Sequence, residues 1–528
     1  MSSRGQKPRK AVIIGAGIAG LATATLLARD GWSVEIVEKN SRVGGRAGSL
    51  EVAGHPGFRW DTGPSWYLMP EAFDHFFALC GTTTAEQLDL VDLQPGYRVY
   101  SGSRAPVDVP SGGPAAADLF ESIEPGAGAA LMEYLDAAGD AYGISVDRFL
   151  YNNFLRPGPL LHRDVLSRAR RLAVLLSTSL QSYVNARFTD PLLRQILCYP
   201  AVFLSSSPDT TPAMYHLMSH TDLVEGVRYP RGGFDAVVRA IHRLAVDNGV
   251  SIRLSTEATS ISAANGRTNG VTVRHDGTQM LIDADVVVSA ADLHHTENHL
   301  LPKTERTYPE RYWARRNPGI GCVLVMLGVK GRLPQFIHHN LLFSKDWDDD
   351  FAAVFDGPRE TRPENASRSI YVSMPSASDP DVAPEGYENL FVLVPTAASA
   401  HLGHGNAYGA RESPAVRAIA DHVIEQISGQ AGIADLKERI VVSRTVGPGD
   451  FEDLYHSWRG GALGPAHTLR QSAFLRGSNR SGKVDSLYYA GATTVPGVGV
   501  PMCLISAENV LKRLRGDTTP GPIGGDAQ

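Results

Sequence analysis

Cysteine is scarce. The four in 528 residues, at positions 80, 198, 322 and 503, are scattered, and no two form a C-x-x-C pair. That argues against a disulfide framework or a zinc ribbon and suits reduced thiols in a cytoplasmic protein. Charge of one sign is also missing. Lys and Arg number 50 against 56 Asp and Glu, and the net charge of −6 comes with no long basic run, so no nucleic-acid partner is indicated. The histidines offer no metal site. His216 and His220 are four apart, but HLMSH lacks the glutamate of H-E-x-x-H, and no third ligand is evident. The adjacent pairs His294-His295 and His338-His339 do not converge on one ion unaided. No Ser-His-Asp constellation stands out. Long apolar runs are absent too, with one exception. Residues 11–28 carry no charge and follow Arg4, Lys7, Arg9 and Lys10, which leaves a signal peptide or membrane anchor open as a reading.

What stands in that stretch points elsewhere. Residues 11–14 are a short apolar run of strand length. Gly15, Gly17 and Gly20 follow as G-x-G-x-x-G, then a periodic apolar segment over 21–29, a stop at Gly31, and a second strand over 34–37. Glu38 lies eighteen residues past Gly20. Gly15 permits the tight turn, Gly17 lets backbone approach a pyrophosphate, and Gly20 lets helix and strand pack closely. The helix N-terminus favours phosphate, and Glu38 suits ribose hydroxyls. Strand, glycines, helix, second strand and acidic tip together predict a dinucleotide site and argue against the anchor. Arg42-Val43-Gly44-Gly45-Arg46 comes next.

Further on, Asp61 ends a short strand at a Gly-Pro turn, where it reads either as a turn-capping carboxylate or as a catalytic group. Helices are expected over 71–80 and 128–142. Residues 161–183 crowd Arg163, Arg168, Arg170 and Arg171 before Leu172, Val174, Leu175, Leu176 and Leu180. Such a helix lies either on a membrane surface or against the domain core with its arginines solvated. Tyr229-Pro230-Arg231-Gly232-Gly233 opens a helix with one apolar face, and Asp276-Gly277 marks a hairpin before a strand over 284–289. Residues 301–440 alternate strands with a helix near 414–428. A strand, the loop GATTVPGVGVP and a helix over 502–513 close the ordered chain. The Gly/Pro-rich tail after Gly516 reads as disordered.

Five segments together resemble the bacterial and fungal phytoene desaturase family of FAD-dependent oxidoreductases: GAGIAG with the late Glu38, RVGGRAG, YPRGG, VVSAAD and YYAGATTVPGVGVP. The resemblance implies an α/β fold, a Rossmann-like, amine-oxidase-like FAD-binding domain with a mixed α+β substrate domain inserted. Nucleotide-domain segments are expected at 1–95, 226–300 and 441–515, substrate-domain segments at 96–225 and 301–440, and a tail at 516–528. The implied cofactor is FAD rather than NAD. Gly44 and Gly45 would lie against the diphosphate with Arg46 neutralising it. Gly63, Pro64 and Ser65 would pass beside the flavin, Ala258 would meet the adenine, and Gly491, Gly499, Val500 and Pro501 would flank the flavin or its ribityl chain. Trp60, His162 and Ser207 depart from the family's phenylalanine, phenylalanine and asparagine.

The activity implied is insertion of C=C bonds into phytoene or a related C40 polyene, with hydride passing to flavin N5. Because the resulting allylic cation sheds a proton readily, no strong base is required. Arg163 and Asp164, in the F-R-D-x-L-like stretch HRDVL, are either catalytic or a surface ion pair. A carotenoid resides in the bilayer, so peripheral membrane association is implied, with 161–183 as its candidate contact. A single dinucleotide fingerprint leaves oxygen or a membrane quinone as electron acceptor. Rival readings are a carotenoid isomerase or ketolase of the same fold, an amine oxidase, and a non-catalytic FAD-binding lipid carrier.

Overall fold

Ala11 and Ile13 face one way and Val12 and Ile14 the other, as the two-residue period of a strand requires, and all four are buried. A strand buried on both faces has to be apolar throughout. This strand, Lys10–Ile14, is the middle of a parallel five-stranded sheet in a computed structural model that describes residues 8–102, 104–155, 162–360, 362 and 364–524. The order is Leu487–Tyr489, Val286–Ser289, Lys10–Ile14, Ser33–Val37, Ser251–Arg253. Helices Ile18–Arg29, Phe234–Asp247 and Val500–Arg515 pack on the face bearing Ala11 and Ile13. A three-stranded antiparallel meander, Thr256–Ala264, Arg267–His275 and Thr278–Asp283, covers the face bearing Val12 and Ile14. Residues 11–28 are thus divided between the central strand and the helix packed on it, which disposes of the anchor reading for that stretch.

Between these returns the chain builds a second sheet. Its order is Ile440–Val446, Ile320–Lys330, Tyr387–Ala397, Ile370–Ser373, His339–Phe343, Tyr97–Ser101, Val107–Val109. All neighbours are antiparallel except His339–Phe343 beside Tyr97–Ser101. Val323, Val325 and Leu327 pack under the helix Pro414–Ala431, while Cys322, Leu324 and Met326 face the other way. Ile440–Val446 belongs to this second sheet, past the boundary expected at 440.

Two expectations are corrected. The stretch 161–183 is not one helix but three, Arg163–Ser167, Ala169–Ser177 and Leu180–Asn185, with Leu161 outside the described residues. Arg168 stands at the first break, and its guanidinium reaches Asp140 on the helix Ala127–Ser145 at 2.7 Å, where Arg171 joins the same carboxylate at 2.9 Å. The tail is not loose over 517–524. Lys512 Nζ, fully buried, donates to the carbonyls of Thr519 and Gly521 at 2.6 and 2.7 Å and to that of Tyr151 at 2.9 Å. The Ile523 N–H donates to Glu508 at 2.6 Å. Residues 525–528 lie outside the described residues. Among the described residues, no helix is long and apolar enough to cross a membrane.

Candidate active site

The glycine loop after the central strand is drawn together by backbone hydrogen bonds. The Gly15 N–H donates to Val37 O at 2.8 Å, and the Gly44 N–H to Ala16 O at 2.9 Å. Gly44 has φ +113°, a conformation that L side chains rarely adopt. At Gly17 an added Cβ would meet only Gly44 O at 4.0 Å, so the loop leaves its cavity side open. Glu38 accepts the Ala16 N–H at 2.8 Å and the Asn40 N–H at 2.9 Å, which fixes the carboxylate at the strand tip and leaves each oxygen a further lone pair. The first N–H groups of the helix Ile18–Arg29 have no partner within the helix and carry its positive dipole end.

This loop forms one end of a cavity of about 650 Å³. Gly15, Gly17, Glu38, Gly44, Gly45 and Arg46 line it, as do Gly63, Pro64, Ser65 and Ala258. Gly491, Gly499, Val500 and Pro501 line it from the C-terminal loop. Gly20 does not. It packs the helix against the turn, where an added Cβ would lie 2.0 Å from Gly15 O. The Arg46 guanidinium donates to the carbonyls of Ala462 and Leu463 at 2.9 Å each, tying the loop to the far wall. Glu257, beside Ala258, pairs with Arg274. Asp292 accepts the His294 N–H at 2.8 Å, and burial pushes its carboxyl up from the usual range. Open glycine loops, free helix N–H groups and the spare lone pairs of Glu38 fit a flavin dinucleotide, with its phosphates at the loops and its ribose at Glu38.

Other candidates lie elsewhere. Arg163 is exposed, and neither it nor Asp164 lines the cavity. Asp164 pairs with Arg148 at 2.9 Å and His162 at 2.7 Å. Desolvation raises its pKa, but the hydrogen bonds from Arg148, His162 and the Val165 N–H outweigh that and hold it at about 2. Asp61 accepts the Phe234 N–H at 2.7 Å, at the start of the helix Phe234–Asp247, which is a capping role. Among the described residues no group of His, Cys, Asp and Glu could hold a metal ion.

Several cavity residues escape a reading of the sequence. His467 Nε2 accepts the Val498 N–H at 3.2 Å and its Nδ1 meets the Tyr215 hydroxyl at 2.7 Å, so His467 holds the C-terminal glycine loop. Tyr371, Cys322 and Leu393 line the cavity from the second sheet, and Trp66 and Phe203 stand beside them. The Tyr371 hydroxyl lies 2.8 Å from Ser65 Oγ and 2.7 Å from His339 Nδ1. Trp66 stacks on His339 with centroids 4.4 Å apart. No local pattern marks Tyr371, His339, Cys322 and Leu393, because the strands that carry them meet only in the folded sheet. Leu176, Leu469, Phe474 and Leu475 both line the cavity and face solvent, forming an apolar mouth, Phe474 with 61% of its surface exposed.

The pattern of the flavin containing amine oxidoreductase family matches residues 18–513. A carotenoid 3,4-desaturase of Haloarcula japonica is 40% identical over 502 residues, covering 95% of this chain and 97% of that protein. A zeta-carotene-forming phytoene desaturase of Myxococcus xanthus is 33% identical, covering 96% and 94%. A phytoene desaturase of Fusarium fujikuroi is 31% identical, covering 98% and 93%. Among solved structures, an oxidoreductase from Methanosarcina mazei superposes with a TM-score of 0.59 at 17% identity, covering 95% of this chain and all of that one. Putrescine oxidase bound to putrescine gives 0.59 at 15% identity, covering 97% and 99%. These two likenesses speak for the fold. The chain belongs to the flavin containing amine oxidoreductase family and, within it, to the group of phytoene and carotenoid desaturases.

Proposed function

We propose that the protein is an FAD-dependent carotenoid desaturase, inserting C=C bonds into phytoene or a related C40 polyene. The observation that carries this reading is a continuous cavity that joins the dinucleotide loop to an apolar mouth. A polyene threaded from the mouth would reach the flavin end past Leu172, Leu176 and Phe203 without meeting a charged side chain of those walls. FAD is favoured because Glu38 and Ala258 provide room for an adenosine beyond the diphosphate. When bound, the flavin supplies the acceptor for the hydride that leaves the polyene. The chain's own part is to exclude water, align the polyene and face the developing cation with aromatic rings such as Trp66 and Tyr371. Oxygen or a membrane quinone takes the electrons onward.

The exposed apolar residues at the mouth, Leu469, Phe474 and Leu475 with Leu176, support peripheral docking on a bilayer, from which a carotenoid can enter directly. The test is anaerobic mixing of the FAD-loaded protein with phytoene-loaded liposomes. Bleaching of the oxidised flavin's visible absorption is expected. A flavin that stays oxidised with phytoene and with partly desaturated carotenoids alike would refute the reading.

A further inference from the structure

Desaturation releases a proton as well as a hydride, and the cavity contains few groups free to take one. Glu38 stands at the dinucleotide end with its spare lone pairs toward a ribose, Glu257 beside it is paired with Arg274, and Asp292 caps the backbone N–H groups of the neighbouring turn. His295 stacks on His456, which contacts Glu257, and so belongs to the dinucleotide end. The lone pair of His467 is taken by the Val498 N–H. Tyr371 is different. It lines the cavity from the second sheet, and behind its hydroxyl stands His339, fully buried, with Nδ1 at 2.7 Å. His339 Nε2 has no hydrogen-bond partner among the described residues, which is unusual for a buried polar atom.

We propose that Tyr371 and His339 form the proton acceptor of the desaturation, with Ser65 orienting the Tyr371 hydroxyl, an inference that rests on the desaturase reading above. The hydride leaves one carbon with both electrons of its C–H bond, giving an allylic cation. On the neighbouring carbon the C–H bond breaks, and its electron pair becomes the new π bond. That proton goes to the Tyr371 oxygen as the Tyr371 proton moves to His339 Nδ1. With the Tyr371 proton directed at His339, Ser65 Oγ, 2.8 Å away, is left to donate to the same phenol oxygen, and Trp66 stacks on the imidazole. Burial holds the His339 pKa well below the histidine range, with His338 adding to the effect, so the ring is neutral and ready before each turnover. Such a weak base suffices because a proton beside an allylic cation is strongly acidic. Once product has left, the proton returns to the cavity along the same pair.

Tyr371→Phe and His339→Phe keep an aromatic ring at each position and test the pair in the FAD-loaded enzyme. Anaerobic flavin reduction by phytoene in liposomes should slow about a hundredfold or more in both, the low side of what a positioned proton acceptor contributes. The double variant should be no slower than the worse single, as for groups acting in one step. Deuterium at the proton-losing carbon should slow both variants and leave the parent unchanged. In 15N-histidine NMR of the parent, Nδ1 of His339, assigned by its loss in His339→Phe, should resonate as an unprotonated nitrogen. Parent-like reduction in Tyr371→Phe, slowing without the isotope effect, or a protonated Nδ1 would each overturn the proposal. A parent whose flavin stays oxidised with every carotenoid offered refutes the desaturase reading instead.

Discussion

A Cβ built on Gly20 falls 2.0 Å from the carbonyl oxygen of Gly15. The helix and the phosphate-facing turn can therefore approach only because residue 20 has no side chain. Gly20→Ala must push the helix N-terminus away from the turn, at about 1–3 kcal/mol for the overpacking. The ratio of flavin to protein absorbance after purification should fall well below that of the parent. A variant purified with full flavin would mean that the turn yields without cost.

Phe474 and Leu475 have no such interior task, since both are exposed at the cavity mouth. Phe474→Asp with Leu475→Asp should lower sedimentation with liposomes by about tenfold or more, from the loss of one to two buried apolar side chains. Flavin content should not change. Undiminished sedimentation would move the membrane contact elsewhere.

Asp222 accepts the hydroxyls of Tyr199 at 2.7 Å and Tyr97 at 3.2 Å in the buried interior. Burial raises its pKa from 3.8 to about 7, outweighing those two hydrogen bonds. The folded chain thus holds this proton more tightly than the unfolded one. Its contribution is fully favourable below the unfolded value and is lost as pH rises through the folded value. Asp61 and Glu71, also raised to about 7 by burial, act in the same direction. The urea midpoint should decline between pH 3.8 and about 7, and Asp222→Asn should make that decline shallower. An unaltered slope would contradict the assignment to Asp222.

The first forty residues were readable because their signals are local: a strand, a turn that needs glycine, a helix and an acidic tip follow one another without interruption. The C-terminal loop was readable for the same reason. The arginine-rich stretch was not, because Asp140, some thirty residues earlier, takes Arg168 and Arg171 and the helix breaks at Arg168. Nor were Tyr371 and His339. They stand on separate strands, and an adjacent His338-His339 pair looks featureless until the sheet presents one ring to a phenol. Gly/Pro content points to a loose tail, but Lys512 and Glu508 on one helix bind it through backbone groups, which composition does not reveal.

That lysine gives a further expectation. Lys512 Nζ joins three carbonyls, two of them in the tail. Lys512→Met should cost about 3 kcal/mol, because buried carbonyls lose a charged donor. It should also expose the segment near Thr519 to limited proteolysis. A variant as stable and as protease-resistant as the parent would show that the tail is held by other contacts.

The central claim is carotenoid desaturation at the flavin end of this cavity. Its most direct test incubates the FAD-loaded protein with phytoene-loaded liposomes and a quinone and follows the absorption spectrum. Bands that advance toward the visible, as each added double bond lengthens the conjugated chain, are the predicted result. An unchanged spectrum with flavin bound, for phytoene and for partly desaturated carotenoids alike, would contradict it.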